Sequence, residues 1–581
     1  MPMPPTNTNT HVPEGSNDHM EAFPPESSDH TPTLAEDPAL GLDPRAKFRI
    51  LLAVLLALFL GALDQTIVGT ALPTIVTQLG GNEYYVWVVT IYLLTSTITV
   101  PFYGKLSDLY GRKPMLMIGI TIFLIGSALS GLSQSMAQLI LFRGIQGLGA
   151  GALFPISLAV IGDMYTPQER GKYQGLFGAV FGIAALIGPA LGGFLTDNFG
   201  WHWIFFVNIP IGIVSLVVLA RLLPTIKRPD ASRNLDYVGG GIFVFAISAL
   251  LIGLTNKQTH DWATPEVGGL LAISAVLTVL FVIAEHFAKE PIVPLNLFRN
   301  RTYSASIVST FFVSFGFFGA IIFLPQWFQV VRGASATVSG YQTLALLVGL
   351  IASSIIAGIL VSRTGRYKII ILFGLAMMAI GLTLMTQLTA TTELPMLWLW
   401  MFITGVGIGP TLSVFTIVVQ NAVSFRFLGV ATSNLTFFRQ IGGSVGLAIT
   451  GTVVGTTLRE QVPVQLVSAG VPPQVLGGLA ASGALGQNTL TDVGVSLGGE
   501  IVKAFPGAVP FVDAIVLAIH EAFSLAVASA FQIGVITTIL AFFAALAIKE
   551  IPLRTTHGEE LPMPSTEHAS ITDLPASPTP A

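Results

Sequence analysis

Long apolar runs separated by short charged or turn-rich breaks dominate the chain from about residue 45 to residue 550. A helix that crosses the hydrocarbon core of a bilayer needs about 20 mostly apolar residues. Fourteen runs meet that length, near 49–72, 84–104, 114–132, 137–162, 172–195, 203–223, 236–254, 267–287, 304–330, 339–361, 368–388, 396–419, 429–455 and 525–548. The expected class is an all-α polytopic membrane protein. Residues 457–524 interrupt the pattern with Gly, Val and Pro and few charges, and read as a long loop before the last span. Within it, Val512 to His520 is a candidate interfacial helix. The ends, 1–44 and 555–581, are rich in Pro, Ser, Thr and acidic residues. Such segments bury too little apolar surface to offset chain entropy, so both are expected to be disordered tails. The first also lacks the basic start and apolar stretch of a cleavable signal peptide.

Charge placement fixes a direction for the spans. With both ends on the same side, that side's loops collect most of the basic residues, among them Arg45, Lys105, Arg112, Lys113, Arg170, Arg228, Arg301, Arg363, Arg366 and Lys549. The opposite loops hold only Lys257, Arg332, Arg459 and Lys503. Basic loops stay cytoplasmic, so both ends are expected in the cytoplasm, in a multi-pass cell-membrane protein, with the vacuolar membrane as the alternative. Arg143 and Arg439 remain, both inside spans.

Composition removes several functional classes. The chain is 52% hydrophobic and 10% charged, far from the roughly one-quarter charged content of soluble proteins. A net charge of −4 offers no basic stripe for nucleic acid. There is no cysteine, hence no thiolate metal site. No two of the nine histidines share a helix face, which argues against the His-box membrane oxidases. No G-x-x-x-x-G-K-[ST] run occurs, which excludes an ATP-driven pump. Neither an enzyme nor a bound cofactor or metal is expected.

A repeat organises the spans. GKLSDLYGRKP (Gly104 to Pro114) follows the second span and GILVSRTGRYK (Gly358 to Lys368) follows the tenth. Gly104, Leu106, Gly111 and Arg112 recur as Gly358, Leu360, Gly365 and Arg366, while Asp108 is matched by Ser362. The repeat divides the chain into an N-terminal six-helix half (45–223), an inserted pair (236–287) and a C-terminal six-helix half (304–550). Halves of this kind place a transport site between them at the bilayer midplane.

Three groups of residues carry candidate chemistry. Asp64 lies past the middle of the first span, where an ionised carboxylate is costly unless paired or hydrated. It is the candidate proton carrier, and Asp64→Asn is expected to leave the fold intact. Gly182, Gly188, Pro189, Gly192 and Gly193 thin one face of the fifth span and let it bend and pack closely. Polar and aromatic residues inside spans, Trp87, Tyr92, Gln146, Asn208, Gln326, Gln329, Phe437, Arg439 and Gln440, are the candidate substrate-cavity residues. Rings with few fixed polar groups suit bulky lipophilic molecules.

The loop GKLSDLYGRK closely resembles the signature of the major facilitator superfamily. LFRGIQGLGAG (Leu141 to Gly151) resembles its membrane-buried Arg motif, and GIAALIGPALGG (Gly182 to Gly193) its antiporter motif. LDQTIVGTALPTI (Leu63 to Ile75) and FFRQIGGSVGLAI (Phe437 to Ile449) resemble the first and thirteenth spans of the fourteen-span drug:proton antiporters, with Gly69 where that subfamily more often has Asn. The tails and outer loop are most similar to those of fungal toxin and multidrug efflux pumps. The resemblance implies the major facilitator fold and export of lipophilic molecules in exchange for protons by a monomer in the lipid bilayer. It implies that Arg143 modulates proton transfer and that Gly104, Asp108, Gly111 and Arg112 latch the two halves in the outward-open state, with Gly188, Pro189, Gly192 and Gly193 also in the gate. An importer of siderophore type and a non-transporting membrane enzyme or receptor are the alternatives.

Overall fold

The computed structural model describes residues 42–80, 84–225, 236–257, 260–481 and 506–553. The expected disorder of both tails falls almost wholly outside these residues. Among the described residues the chain is helical and has no strand. Fourteen helical segments are long and apolar enough to cross a membrane.

The first half contains α1 (Pro44–Leu79), α2 (Tyr85–Tyr110), α3 (Arg112–Gly131), α4 (Met136–Met164) and α5 (Pro167–Phe199). Two shorter helices, α6 (Trp203–Phe206) and α7 (Asn208–Leu222), complete it as one span. Local chemistry sets several boundaries. Ser135 caps α4 through the Gln138 N–H, and Thr166 and Glu169 form a reciprocal capping box before Pro167 on α5. A single residue, Gly111, joins α2 to α3 with φ 98°, a left-handed conformation that only glycine adopts without strain. Its counterpart in the repeat, Gly365, also has positive φ, 69°.

The inserted pair is α8 (Tyr237–Asn256) and α9 (Leu270–Phe287). The span that contains α9 is only 17% buried, against 50% for α8, so α9 lies on the outside of the bundle and α8 between it and the rest. The second half contains α10 (Arg301–Arg332), the short α11 (Ala336–Gln342), α12 (Leu344–Thr364), α13 (Lys368–Met385), α14 (Leu394–Ala422) and α15 (Leu428–Ser468). A short α16 (Pro473–Ala481) and the last span, α17 (Val512–Leu546), follow.

Each half has its own apolar core, around Leu58, Ile120, Leu153 and Ile156 in the first and Trp327, Leu375, Phe415 and Phe531 in the second. The outer faces carry bare apolar side chains such as Ile118, Ile125, Leu141, Phe373 and Phe543, the surface a bilayer covers.

One packing device appears twice. Gly147, Gly149 and Gly151 on α4 have no room for side chains: an added Cβ would lie 2.0 Å from Thr95 Oγ1, 2.3 Å from the Phe123 nitrogen and 2.1 Å from Thr99 Oγ1. In the same Gly-x-Gly-x-Gly on α14, added Cβ atoms would lie 2.1 Å from the Leu346 carbonyl at Gly405, 2.2 Å from the Met378 nitrogen at Gly407 and 2.0 Å from Ser353 Oγ at Gly409. The fourth helix of each half is thus wedged between the second and third. Small residues allow this in lipid, where association rests on close packing.

The stretch 457–524 differs from the expected loop. α15 continues without a break to Ser468, and α17 starts at Val512. At 1.5 Å per residue they are about 60 and 50 Å long, against a hydrocarbon core of about 30 Å. Leu458, Val462 and Leu466 recur every four residues on α15 and are buried with Ile515, Ile519 and Ala522 of α17 in one core. The proposed interfacial helix is therefore the first two turns of the last span. Residues 482–505 lie outside the described residues.

Candidate functional site: a buried charge cluster and a closed gate

Arg143 and Gln146 are three residues apart on α4 and share a face. Asp64 on α1 meets both. Its Oδ2 accepts from Arg143 Nη1 at 2.6 Å, and its Oδ1 accepts from Gln146 Nε2 at 2.8 Å and from Asn208 Nδ2 at 3.2 Å. Asp64, Gln146 and Asn208 are wholly buried and Arg143 is 1% exposed. The guanidinium has further supports that do not depend on Asp64. It donates to Gln146 Oε1 (2.8 Å) and to the Val88 carbonyl (3.3 Å), and lies 4.1 Å from the centre of the Tyr92 ring. Asn208 Nδ2 also reaches Ser127 Oγ at 3.1 Å, and that hydroxyl donates to the Phe205 carbonyl. The six-residue network closes α1, α2, α3, α4 and the α6–α7 span around one carboxylate.

Three residues read from the sequence as cavity lining therefore belong elsewhere. Tyr92, Gln146 and Asn208 are spent on the Asp64–Arg143 pair. Of the others, Gln326 is exposed, and Trp87 and Gln440 are half-buried. Gln329 donates to Ser339 Oγ at 3.2 Å. Phe437 packs on Phe243 of the inserted pair, ring centres 5.3 Å apart. Arg439 borders a small cavity inside the second half.

At the end of the bundle that carries the α2–α3 turn, Asp108 crosses from one half to the other. Its two oxygens accept from the backbone N–H of Gly429 (3.2 Å) and Val430 (2.8 Å), the first turn of α15, where the helix dipole favours negative charge. Arg112 pairs with Asp108 and donates through Nε to Asp163 Oδ2 at 2.9 Å. Gly104 fits because an added Cβ would lie 2.0 Å from Ser433 Oγ. The four residues taken from the motif are thus brought together. Asp163, which from the sequence is a second-choice proton carrier near the membrane surface should Asp64 fail, completes the cluster instead. Lys105 pairs with Glu290 at 2.6 Å, and Arg426 of the second half approaches the same carboxylate at 3.6 Å.

A second seam joins the halves at the same end. Gly171, Gly175, Gly178 and Gly182, spaced four, three and four apart on α5, face α12. Added Cβ atoms there would meet the Gly358 carbonyl at 2.4 Å, Ile355 Cα at 2.8 Å, Ser354 Oγ at 2.5 Å and Ile351 Cδ1 at 2.4 Å. Next to it, Gln174 Nε2 donates to Gln420 Oε1 at 2.8 Å. Of the antiporter-type motif only the first residue, Gly182, lies in this seam. Gly188 and Gly192 pack on Thr66 and Thr70 of α1, inside their own half, one on each side of the turn that follows Asp64. A Cβ on Gly193 would meet nothing nearer than Thr337 at 3.9 Å, and Pro189 is a similar distance from one built on Gly340. Of the α5 glycines, Gly171, Gly175, Gly178 and Gly182 make the close contacts with the second half, and Gly188, Gly192 and Gly193 do not.

Two substitutions test the latch. Gly111→Val forces a β-branched residue into positive φ, at a cost of about 1–3 kcal/mol. Asp108→Ala orphans two backbone N–H groups, each worth about 1–3 kcal/mol when buried. Dye efflux from cells expressing either variant is expected to fall several-fold with membrane levels near wild type. Full efflux by both would reduce the loop to a topological signal.

Comparison with known proteins gives a consistent result. The family model described as Major Facilitator Superfamily matches residues 54–447. The multidrug transporter protein MdtP of Bacillus subtilis is 40% identical over 406 residues, 70% of this chain and 75% of that protein. The acurin A biosynthesis cluster MFS-type transporter of Aspergillus aculeatus is 32% identical over 527 residues, 88% of this chain and 91% of its own. Among solved structures, the proton:xylose symporter XylE superposes with a TM-score of 0.54 at 14% identity, covering 88% of this chain and 98% of that one; this likeness concerns the fold.

Proposed function

The chain belongs to the major facilitator superfamily, and from that premise we propose that it exports lipophilic small molecules in exchange for protons. The observation that carries the reading is the sealed Asp64–Arg143 pair. A carboxylate inside a membrane half has few reasons to be there other than to change charge, and Arg143 keeps its own charge throughout. When Asp64 takes a proton its attraction to Arg143 weakens, and the guanidinium remains held by Gln146 Oε1, the Val88 carbonyl and the Tyr92 ring. Loss of the counter-charge then raises the energy of this closed arrangement, which favours a shift of α1 against α4. Thr66 and Thr70, two and six residues beyond Asp64, pack on Gly188 and Gly192, which links any such shift of α1 to α5. That helix carries the gate glycines.

With the basic loops in the cytoplasm, the latch end is the cytoplasmic one. The arrangement then corresponds to an outward-facing state with an ionised Asp64 ready to load a proton from outside. Loading favours release of the latch and seam. In the inward-facing state substrate enters from the cytoplasm or inner leaflet, Asp64 loses its proton, and the pair re-forms. The pathway lies within one chain, so a monomer suffices, and the proton gradient replaces any cofactor. Export is favoured over import by relatives named for multidrug transport and for a biosynthesis cluster.

The test is efflux of a fluorescent lipophilic dye from cells expressing the chain, with and without a proton uncoupler and at constant ATP. Efflux should stop with the uncoupler. Unchanged efflux would overturn proton coupling, and inward accumulation would overturn export.

A further inference from the structure

The buried charges described above each have a partner. Arg439 on α15 does not. Among the described residues no hydrogen bond or ion pair reaches it, and its Nη2 is sealed from solvent with no acceptor. It lies eleven residues beyond the start of α15, about 17 Å along the helix at 1.5 Å per residue, near the middle of a hydrocarbon core about 30 Å thick. Among the described residues, the acids of the second half, Glu393, Glu460, Asp513, Glu521 and Glu550, sit in loops or toward the far ends of helices.

What Arg439 faces is a cavity of about 10 Å³ bordered by Thr310, Ser314 and Phe317 of α10 and by Thr411 and Phe415 of α14. Thr310 Oγ1 is also buried there without a partner. The space is about that of one water, so an anionic head is admitted only as the helices around it part. A guanidinium cannot escape the cost of burial by losing its proton. The residue as a whole is half-buried, but its Nη2 lacks an acceptor, and its planar fork matches a carboxylate.

The first half offers nothing equivalent for a cationic compound. Asp64 is held by three donors. Asp108 and Asp163 are held by Arg112. Outside both halves, Glu285 on α9 of the inserted pair accepts through Oε1 from the backbone N–H groups of Ile292 and Val293, while its Oε2 is buried without a partner. Within the spans of the two six-helix halves, among the described residues, the charge left without a partner is that of Arg439.

We propose that Arg439 is the anion-recognising residue of the transport site and that the substrates of this exporter include lipophilic organic acids. As α10, α14 and α15 part during the transport cycle, the carboxylate, or a similar anionic head, takes hydrogen bonds from Arg439 and Thr310, while the apolar body lies against rings such as Phe317 and Phe415 that the opening uncovers. The assignment rests on the exporter reading and narrows its substrate class.

Three probes of one shape test it: 9-anthracenecarboxylate, its uncharged methyl ester, and the cationic 9-(aminomethyl)anthracene. Binding to the purified full-length protein is followed by fluorescence, in chloride and in gluconate buffers. Wild type should bind the carboxylate at least tenfold more tightly than the ester or the amine. Arg439→Gln should remove that preference and leave ester binding unchanged, and Arg439→Lys should keep part of it. Equal binding of carboxylate and ester by wild type, absence of carboxylate binding, or an equal loss of all three probes in Arg439→Gln would overturn the proposal. So would chloride that abolishes carboxylate binding at millimolar concentration, which would make the site one for a small inorganic anion. Uphill transport of the ester in proteoliposomes, driven by a pH gradient, is measured alongside. If the ester moves but the carboxylate preference is absent, only this inference fails. If wild type binds the probes but moves none, the exporter reading fails first.

Discussion

Asp64→Asn is expected to abolish efflux driven by a pH gradient and also to destabilise the protein. The second half of that result departs from what the sequence leads one to expect, namely that an amide would relieve a desolvation cost. The structure reverses the sign because Asp64 is not an isolated acid but the counter-charge of Arg143, which is 1% exposed. Asn leaves that guanidinium without a counter-charge, and removing one member of a buried pair costs about 3–5 kcal/mol. Removing both members should cost less. Met401 shows what the second half places there: it stands four residues before Gly405, as Arg143 stands four before Gly147, and it is fully buried. The Asp64→Asn, Arg143→Met double variant is therefore expected to recover most of the lost thermal stability in detergent while efflux from proteoliposomes stays at background. Wild-type efflux from Asp64→Asn would remove Asp64 from the mechanism. A double variant no more stable than the single one would remove the pairing argument.

That reversal shows which physical information a sequence carries. The spans were legible because each is an unbroken apolar run, long enough for the bilayer, and nothing but a helix satisfies its backbone there. The outer parts of α15 and α17 were not, because they leave the membrane. Arg459 and Glu460 interrupt the apolar run, and only the four-residue recurrence of Leu458, Val462 and Leu466 marks a helix that buries its face against a neighbour. At the site, Asp64 and Arg143 each stood out as charges in apolar surroundings. Their contact spans 79 positions and no local pattern encodes it. Gln146 and Asn208 were assigned to a cavity because a polar residue in a span looks the same whether it lines a pathway or serves a buried carboxylate. The gate glycines are a different case. Gly171, Gly175, Gly178 and Gly182 lie on one helix face by their spacing alone, as do the paired Gly-x-Gly-x-Gly runs on α4 and α14, and both were readable. The Pro-containing motif a few residues later drew attention away from the first. The second was hidden because only one member of the pair sits beside a buried Arg.

The gate glycines carry the other large expected effect. Gly171 and Gly358 face each other so closely that a Cβ on either would strike the other's carbonyl, at 2.4 and 2.1 Å. The obstructing atom is backbone in both directions, so no rotamer change relieves the clash. Gly171→Val is expected to prevent α5 and α12 from closing at the latch end while leaving each half's own core untouched. Moving a two-state equilibrium from 99:1 to 1:99 takes about 5.5 kcal/mol, and a backbone overlap that spreads two helices is of that order. Because the chain has no cysteine, spin labels can be placed on Lys172→Cys and Arg363→Cys, two exposed positions at this end of α5 and α12, without removing native thiols. Wild type should show a dominant short distance between the labels, and Gly171→Val a longer and broader one. Dye efflux should drop at least tenfold while dye binding to the purified protein persists, since the halves remain folded and only their closure is blocked. Gly171→Ala, with a smaller side chain in the same place, should fall between the two. A Gly171→Val protein that keeps the wild-type distance would show that the seam tolerates the bulk, and the gate would then rest on Asp108 and its partners at the start of α15.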